Sequence, residues 1–320
     1  MRVLHLTVSD AGFFPGTVAA VNALLAFHPQ AEVCVVDNHL HKRGLDSAQR
    51  AVLENAGVRV VRAEALARTG RKLAAWELKA YAAADMNGDH DELIGFDSDC
   101  VLCGPVGDVV AAARETGAFH GGKDRPPPYD ESYRAYGIEP PAWNNHYFST
   151  SLYVCALTAE NRRVLARWAE CCDRAKFGGG GVYPGHGDQG VLNAVLYAER
   201  GGDSARVLDN RLWSQHGAYY WKGRVALRDG ALFNEDAQMP QRSLHCGGAE
   251  KFWTTAHRDR VEKHPGHAPS FAWFLRHLWF GRCEIEPHHL AEEHRHLAES
   301  LVRWRRTVWA FERPTSNVQH

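Results

Sequence analysis

Two kinds of segment alternate along the first hundred residues, and this alternation restricts the fold more than any other feature of the sequence. Four segments are short, apolar and rich in β-branched residues, as buried strands are. Between them lie three segments that carry helix-forming residues at helical spacing, and Gly57 follows the second where a C-terminal cap belongs. The strand-like segments are Arg2–Val8, Ala31–Asp37, Val58–Ala63 and Glu92–Asp97, and the helix-like segments are Thr17–Phe27, Asp46–Ala56 and Lys72–Ala84. This order indicates an α/β fold with a mostly parallel sheet flanked by helices.

The middle of the chain predicts a loop-rich insertion followed by a strand and two helices. Residues 123–143 are rich in Pro and Tyr, and a long loop of this composition inside a compact protein is more often a binding lid than filler. A strand is predicted at Ser151–Leu157 and a helix at Ala159–Phe177. Asp188 lies near the start of a further helix, where a carboxylate is favoured.

The last part of the chain is helical and aromatic from Ser270 onward. A polar, Pro-bearing stretch precedes it, so we expect two units, residues 1–257 and a helical C-terminal extension at 258–320. The Trp and Arg residues of this extension could dock on a membrane surface. Packing of the helices against the rest of the molecule explains the same aromatics and is the favoured interpretation.

Charge and hydropathy exclude several classes of partner and location. The chain has 37 Lys and Arg against 38 Asp and Glu, so no overall field favours nucleic acid, and we expect no nucleic-acid partner. The N-terminus lacks the apolar core of a signal peptide, and no window reaches the roughly 18 apolar residues of a spanning helix. These features predict a cytoplasmic protein.

Two aspartates, Asp97 and Asp99, interrupt an apolar run after the fourth predicted strand. In extended backbone both carboxylates point to the same side, and two like charges so placed repel unless a cation lies between them. Oxygen ligands of this kind suit Mg²⁺ or Mn²⁺, which usually hold a substrate phosphate as well. In open parallel sheets ligands bind beyond the carboxyl ends of the strands, which is where this pair falls. An ordinary acidic loop remains the alternative at this point.

A second constellation lies in the stretch LHCGGAEKFW, residues 244–253. His245 is a suitable third ligand for Mn²⁺, Gly248 allows backbone to approach a phosphate closely, and Lys251 supplies a positive charge for it. Taken singly, His245 could equally be an ordinary loop residue, and Lys251 could be a solvated amine.

Together these motifs resemble those of the retaining glycosyltransferases of family 8, the glycogenin and lipopolysaccharide galactosyltransferase group, which have a GT-A fold. The resemblance covers roughly residues 1–255: an Asp-x-Asp pair after a strand, an Asp-Gln pair opening a helix, and a late H-x-x-G-x-x-K-P-W element. Phe252 replaces the proline of that last element. The family also shows a Phe-Asn-Ser-Gly element where this chain has Ser149 and Ser151 in place of the asparagine and glycine.

The resemblance implies a metal site and a nucleotide-sugar site. Asp97, Asp99 and His245 would bind Mn²⁺ (or Mg²⁺), which holds the diphosphate of a UDP-sugar donor, with Gly248 and Lys251 on the same diphosphate. Asp188 would contact hydroxyls of the donor sugar, and Gln189 would lie beside its anomeric carbon.

Three further positions match the family's donor site. Asp10 matches the position that contacts uridine, Lys79 matches a basic residue directed at the donor, and Ser98 could reach the ribose. An exposed helix lysine is the competing interpretation of Lys79. The acceptor could be a glycan, a lipid-linked sugar, a protein or a small metabolite, because nothing in the sequence selects among them.

Two other functions are compatible with this fold class. A sugar-1-phosphate nucleotidyltransferase would share the sheet and the carboxylates, but its basic, Gly-rich loop after the first strand is missing, since no Lys or Arg follows that strand before Lys42. A non-catalytic sugar-nucleotide-binding protein would not need all the acidic, amide and basic residues named above. Separately, His288, Glu292 and His296 have i, i+4, i+8 spacing, which places them on one predicted helix face, where they could ligate a metal. Because no aligned partner residues are found elsewhere in the sequence, a solvated helix face is the favoured interpretation.

Overall fold

The computed structural model describes residues 2–40, 42–66, 75–125, 146–175, 187–213, 225–247 and 250–311. Their central element is a seven-stranded sheet with strand order β3-β2-β1-β4-β7-β6-β8. Strands β1 to β4 are parallel, and β7 runs antiparallel to both of its neighbours. The strands are β1 Val3–Ser9, β2 Glu32–Asp37, β3 Arg59–Arg62, β4 Glu92–Phe96, β5 Cys100–Leu102, β6 Phe119–Lys123, β7 Phe148–Ala156, β8 Ala205–Leu208, β9 Val225–Arg228, β10 Ala231–Asn234, β11 Met239–Pro240 and β12 Ser243–His245. Two small sheets, β11-β10-β9 and β12-β5, complete the strand pairing of the described residues.

Helices connect the strands, and local chemistry sets several of their ends. Asp46 accepts a hydrogen bond from the Gln49 amide in a capping box, which starts α2. Gly57, just beyond that helix, has a φ of +83°, which favours glycine. The helices are α1 Phe14–Phe27, α2 Ser47–Asn55, α3 Ala75–Asp85, α4 Gly107–Thr116, α5 Ala159–Ala175, α6 Gly187–Arg200, α7 Thr255–Lys263, α8 Ala268–Trp279 and α9 His296–Ala310.

The core lies on both faces of the large sheet. One cluster packs α1 and the C-terminal helices against the sheet and contains Phe14, Phe271 and Phe274. The other packs α3, α5 and α6 against the opposite face and contains Tyr81 and Trp168. The prediction of an α/β fold with a mostly parallel sheet covered on both faces is confirmed.

The C-terminal helices pack against α1. The Asn22 amide donates to the carbonyl of His277 at 2.8 Å, and its oxygen accepts from the Cys283 amide at 2.7 Å. Phe274 stacks on Phe252 with ring centroids 5.2 Å apart. The packing interpretation of the aromatic residues is therefore confirmed for α8, although α7 spans the expected boundary at 257 and the division into two units stays a prediction.

Most predicted elements agree with the structure to within a few residues. Residues 72–74 and 176–177 of two predicted helices, and 126–143 of the predicted lid, lie outside the described residues. The prediction of one helix face carrying His288, Glu292 and His296 is wrong, because two separate 3₁₀ turns, Pro287–His289 and Glu292–His294, precede α9. None of the helices within the described ranges combines the length and apolar character that crossing a bilayer needs.

Candidate functional site

The turn that follows β4 places both aspartates at the carboxyl edge of the sheet. The Asp97 amide donates to the Ser151 carbonyl at 2.8 Å, and the Cys100 amide donates to the Asp97 carbonyl at 2.9 Å. These bonds hold the turn between β4 and β5. Strand β12 then pairs antiparallel with β5, with His245 opposite Cys100. Strand pairing therefore brings His245 beside Asp97 and Asp99, although it lies far from them in the sequence.

Asp97, Asp99 and His245 form a cluster whose ligating atoms all lie within 4.8 Å of one another. The His245 Nε2 lies 3.3 Å from Asp99 Oδ1 and 3.8 Å from Asp97 Oδ2. Adjacent ligand atoms of an octahedral ion with bonds of about 2.1 Å are about 3 Å apart. Two carboxylates and an imidazole at these separations fit Mn²⁺ or Mg²⁺.

Two lysines donate hydrogen bonds to the same two aspartates. The Lys79 ammonium donates to Asp97 Oδ1 at 2.7 Å, and the Lys251 ammonium donates to Asp99 Oδ2 and, at 3.0 Å, to the Cys246 carbonyl. In each aspartate the oxygen that accepts from the lysine differs from the one nearest to His245 Nε2, which is Oδ2 in Asp97 and Oδ1 in Asp99. Lys79 is only 8% exposed, so the alternative of an exposed helix lysine is wrong.

The charges of these buried groups shift one another's pKa values. Burial alone would raise the pKa of Asp99, but the neighbouring His245 and Lys251 outweigh it and hold that pKa well below its usual range. Burial likewise opposes the charge of Lys79, yet the carboxylates of Asp188 and Asp97 raise its pKa. The lysine is therefore charged at neutral pH.

The helix α6 begins beside this cluster and carries two further predicted residues. Asp188 Oδ2 lies 3.4 Å from the Lys79 ammonium. Burial, with the nearby Asp97 charge, raises the pKa of Asp188, although Lys79 opposes the shift. The carboxamide of Gln189 accepts a hydrogen bond from the Thr150 amide at 3.1 Å. Both predicted residues therefore lie next to the aspartate and lysine cluster.

The structure adds three contacts that the motifs do not predict. The Gln189 side-chain nitrogen donates to Asp124 Oδ2 at 3.0 Å and to the Tyr147 hydroxyl at 3.2 Å. The Thr150 hydroxyl accepts from Lys79 at 3.1 Å. The only signal for Thr150 in the sequence is its place in the stretch that departs from the family's Phe-Asn-Ser-Gly element.

The turn after β1 borders the site through aromatic contacts. Asp10 Oδ1 accepts from the amides of Gly12 at 2.8 Å and Phe13 at 3.1 Å, and burial raises the pKa of this carboxyl. The Phe13 ring meets Trp253 edge to face at 5.4 Å, and the Lys251 ammonium lies 5.6 Å from the Phe13 centroid.

Ser98 and Gly248 are the two remaining residues that the sequence predicts to contact the donor. The Ser98 hydroxyl donates to the Val8 carbonyl and lies 3.4 Å from the Thr7 hydroxyl, so this side chain joins the turn to β1. A contact of Ser98 with the ribose would therefore use its backbone more readily than its hydroxyl. Gly248 lies outside the described residues.

Comparison with known proteins supports the fold assignment. No protein-family model and no curated protein sequence matches the chain. Among solved structures, the chain is similar to the bifunctional glycosyltransferase WbbM, with a TM-score of 0.58 and 13% identity over 88% of this chain and 50% of that protein. The chain thus spans about half the length of WbbM. It is also similar to the galactosyltransferase LgtC, solved with donor and acceptor sugar analogues, with a TM-score of 0.52 and 14% identity over 81% of this chain and 94% of that one. At these identities the likeness concerns the fold, and the chain has the GT-A fold of these glycosyltransferases.

Proposed function

We propose that this protein is a metal-dependent retaining glycosyltransferase, which transfers a hexose from a UDP-sugar to an acceptor hydroxyl. The observation that carries the proposal is the convergence of Asp97, Asp99 and His245, from distant parts of the chain, on one point at the carboxyl edge of a GT-A sheet. Two lysines border the same point. A site that combines divalent-cation ligands with nearby ammonium groups is suited to a diphosphate.

The three clustered residues would hold Mn²⁺ or Mg²⁺ through the oxygens and nitrogen described above. A bound ion supplies Lewis-acid stabilisation of the charge that develops on a departing diphosphate. Lys251 would contribute a second positive charge to that diphosphate, because its ammonium already lies at the edge of the aspartate pair. Electrostatic stabilisation of this kind usually contributes more to catalysis than any other single effect.

The residues at the start of α6 would bind the sugar. Asp188 offers carboxylate oxygens to donor hydroxyls, and Gln189 would lie beside the anomeric carbon. Because Gln189 is a neutral amide it cannot act as a strong nucleophile. Retention would then follow from transfer on the same face of the sugar, in which the departing UDP oxygen accepts the proton of the acceptor hydroxyl.

The first test is a screen of UDP-sugars for slow hydrolysis that depends on Mn²⁺. We expect UDP release from at least one UDP-hexose and none in the presence of a chelator. Binding of UDP without release from any UDP-sugar would instead indicate a sugar-nucleotide-binding protein.

A substitution tests the metal assignment directly. Loss of an outer contact to a metal ligand typically costs 10–100-fold, so removing a ligand should cost at least about 100-fold. We therefore expect Asp99→Asn to abolish Mn²⁺-dependent UDP binding in calorimetry while the circular dichroism spectrum is retained. Unchanged UDP affinity in this variant would contradict the metal assignment.

A further inference from the structure

Thr150 links three of the candidate site residues. It lies in β7, is only 2% exposed, and its hydroxyl accepts from the Lys79 ammonium at 3.1 Å. The same hydroxyl donates to Asp188 Oδ2 at 3.4 Å. Its backbone amide donates to Gln189 Oε1 at 3.1 Å. One residue therefore contacts α3 through its side chain and α6 through both its side chain and its backbone.

The hydroxyl completes the hydrogen bonding of a buried ammonium. A lysine ammonium has three N–H donors and no acceptor. Within the part of the chain that the structure describes, the hydrogen-bond and ion-pair partners of Lys79 Nζ are oxygens of Asp97, Asp188 and Thr150, and the threonine supplies the neutral one. A buried donor left without an acceptor is costly, so loss of this hydroxyl should disturb the position of the ammonium.

The adjacent serines do not share this role. The Ser149 and Ser151 hydroxyls lie 2.9 Å from each other. Among the described residues, the hydroxyl that hydrogen-bonds to Lys79 and Asp188 is that of Thr150. The arrangement around Lys79 therefore depends on position 150.

We propose that Thr150 is a positioning residue for the donor sugar, an inference that rests on the proposed function. Its hydroxyl holds Lys79 and the Asp188 carboxylate in one arrangement, and its amide determines which end of the Gln189 carboxamide faces the sugar. Since Asp188 and Gln189 are the proposed sugar contacts, Thr150 governs recognition of the sugar part of the donor rather than of UDP.

The kinetic test compares two substitutions. Thr150→Val keeps the shape and the amide but removes the hydroxyl, whereas Thr150→Ser keeps both polar groups. We expect Thr150→Val to lower kcat/KM for hydrolysis of the preferred UDP-sugar by roughly tenfold or more, the effect of losing a charged hydrogen bond. The Kd for UDP with Mn²⁺ should change by less than about twofold, because UDP lacks the sugar. Thr150→Ser should restore most of the lost kcat/KM.

A matched control removes a hydroxyl that lies far from the site. The Thr116 hydroxyl donates to the Ala112 carbonyl at 2.8 Å, at the end of α4, so Thr116→Val should leave kcat/KM unchanged. If Thr150→Val fails to fold, Thr150→Cys replaces it, because a thiol is only a weak hydrogen-bonding group. Equal losses for UDP and the UDP-sugar, or full activity in Thr150→Val, would overturn the inference.

A second measurement separates this inference from the proposed function. In protein labelled with ¹⁵N-lysine, we expect a protected ammonium signal for Lys79, assigned through Lys79→Arg. That signal should persist in Thr150→Ser and broaden or shift in Thr150→Val. An unchanged signal in Thr150→Val overturns the role of Thr150 whatever the activity. A wild-type protein that hydrolyses no UDP-sugar overturns the proposed function, and the signal then decides whether Thr150 positions Lys79.

Discussion

Some residues of the candidate site can be predicted from sequence motifs, whereas others are recognised only in the folded structure. Asp97, Asp99 and His245 were predictable because the chemistry of metal ligands restricts their type and spacing, and the structure brings them together. Asp124 and Thr150 were not, because their contacts depend on the register of β7 against its neighbours. That register shifts between Gly121 and Lys123, just before Asp124, and a sequence pattern does not show such an irregularity.

For Gln189, an effect on catalysis can be measured separately from an effect on donor binding. Its carboxamide accepts from Thr150 and donates to Asp124 and Tyr147, so it is held in one orientation. We expect Gln189→Ala to lower kcat by about 10–100-fold while the Kd for the UDP-sugar changes much less, because a group at the reacting centre stabilises the transition state selectively. Single-turnover kinetics with direct binding measurements would check this, and equal losses in both would place Gln189 outside the reaction centre.

Elements were predicted more reliably than the way in which they pack. The alternating pattern located β1 to β4, but it does not show that β7 runs antiparallel within the sheet. The histidine-rich segment before α9 has helical spacing, and Pro287 begins a short 3₁₀ turn there instead. Periodicity reports which residues share a face, whereas strand direction and helix ends depend on contacts elsewhere in the chain.

The first turn of α1 shows such a packing contact. A Cβ on Gly16 would lie 2.2 Å from Trp253 Cζ3 and 2.5 Å from the Ser98 carbonyl oxygen. We expect Gly16→Ala to destabilise the protein by about 1–3 kcal/mol, because the helix must move away from both segments. Since these segments carry the proposed metal ligands and Lys251, Mn²⁺-dependent UDP binding should weaken as well. Urea unfolding and calorimetry would measure the two effects.

Gly107 provides the matched control for this substitution. It is the first residue of α4, and a Cβ there would meet nothing within 4 Å. Gly107→Ala should therefore leave the stability unchanged or raise it by about 0.4–1 kcal/mol, through a smaller entropy of the unfolded chain. Equal stabilities of Gly16→Ala and Gly107→Ala would contradict the close approach of α1 to Trp253.

At the scale of the whole molecule, the question is whether the C-terminal helices form a unit of their own. The sequence predicts a boundary near residue 257 from composition alone. One apolar cluster nevertheless contains Phe14 of α1, Phe271 of α8 and Val308 of α9. A continuous core of this kind favours a single cooperative unfolding transition.

Asn22 tests this cooperativity, because it joins α1 to the segment around α8. Its side chain is 2% exposed and bonds the His277 carbonyl at 2.8 Å, the Cys283 carbonyl at 3.2 Å and the Cys283 amide at 2.7 Å. Asn22→Ala leaves these backbone groups unpaired, so we expect a loss of about 2–4 kcal/mol. The loss should appear as a lower midpoint of one transition that tryptophan fluorescence and circular dichroism report together.

The exposed Asn55, the last residue of α2, serves as the control, and Asn55→Ala should change the stability by less than about 0.5 kcal/mol. If residues 258–320 unfold independently, Asn22→Ala will instead split the unfolding curve, and the two probes will give different midpoints. Mn²⁺-dependent UDP binding would then survive the first transition. Under the single-core arrangement, metal-dependent nucleotide binding and the helical signal of the C-terminal segment disappear at the same urea concentration, because both depend on the packing of α1.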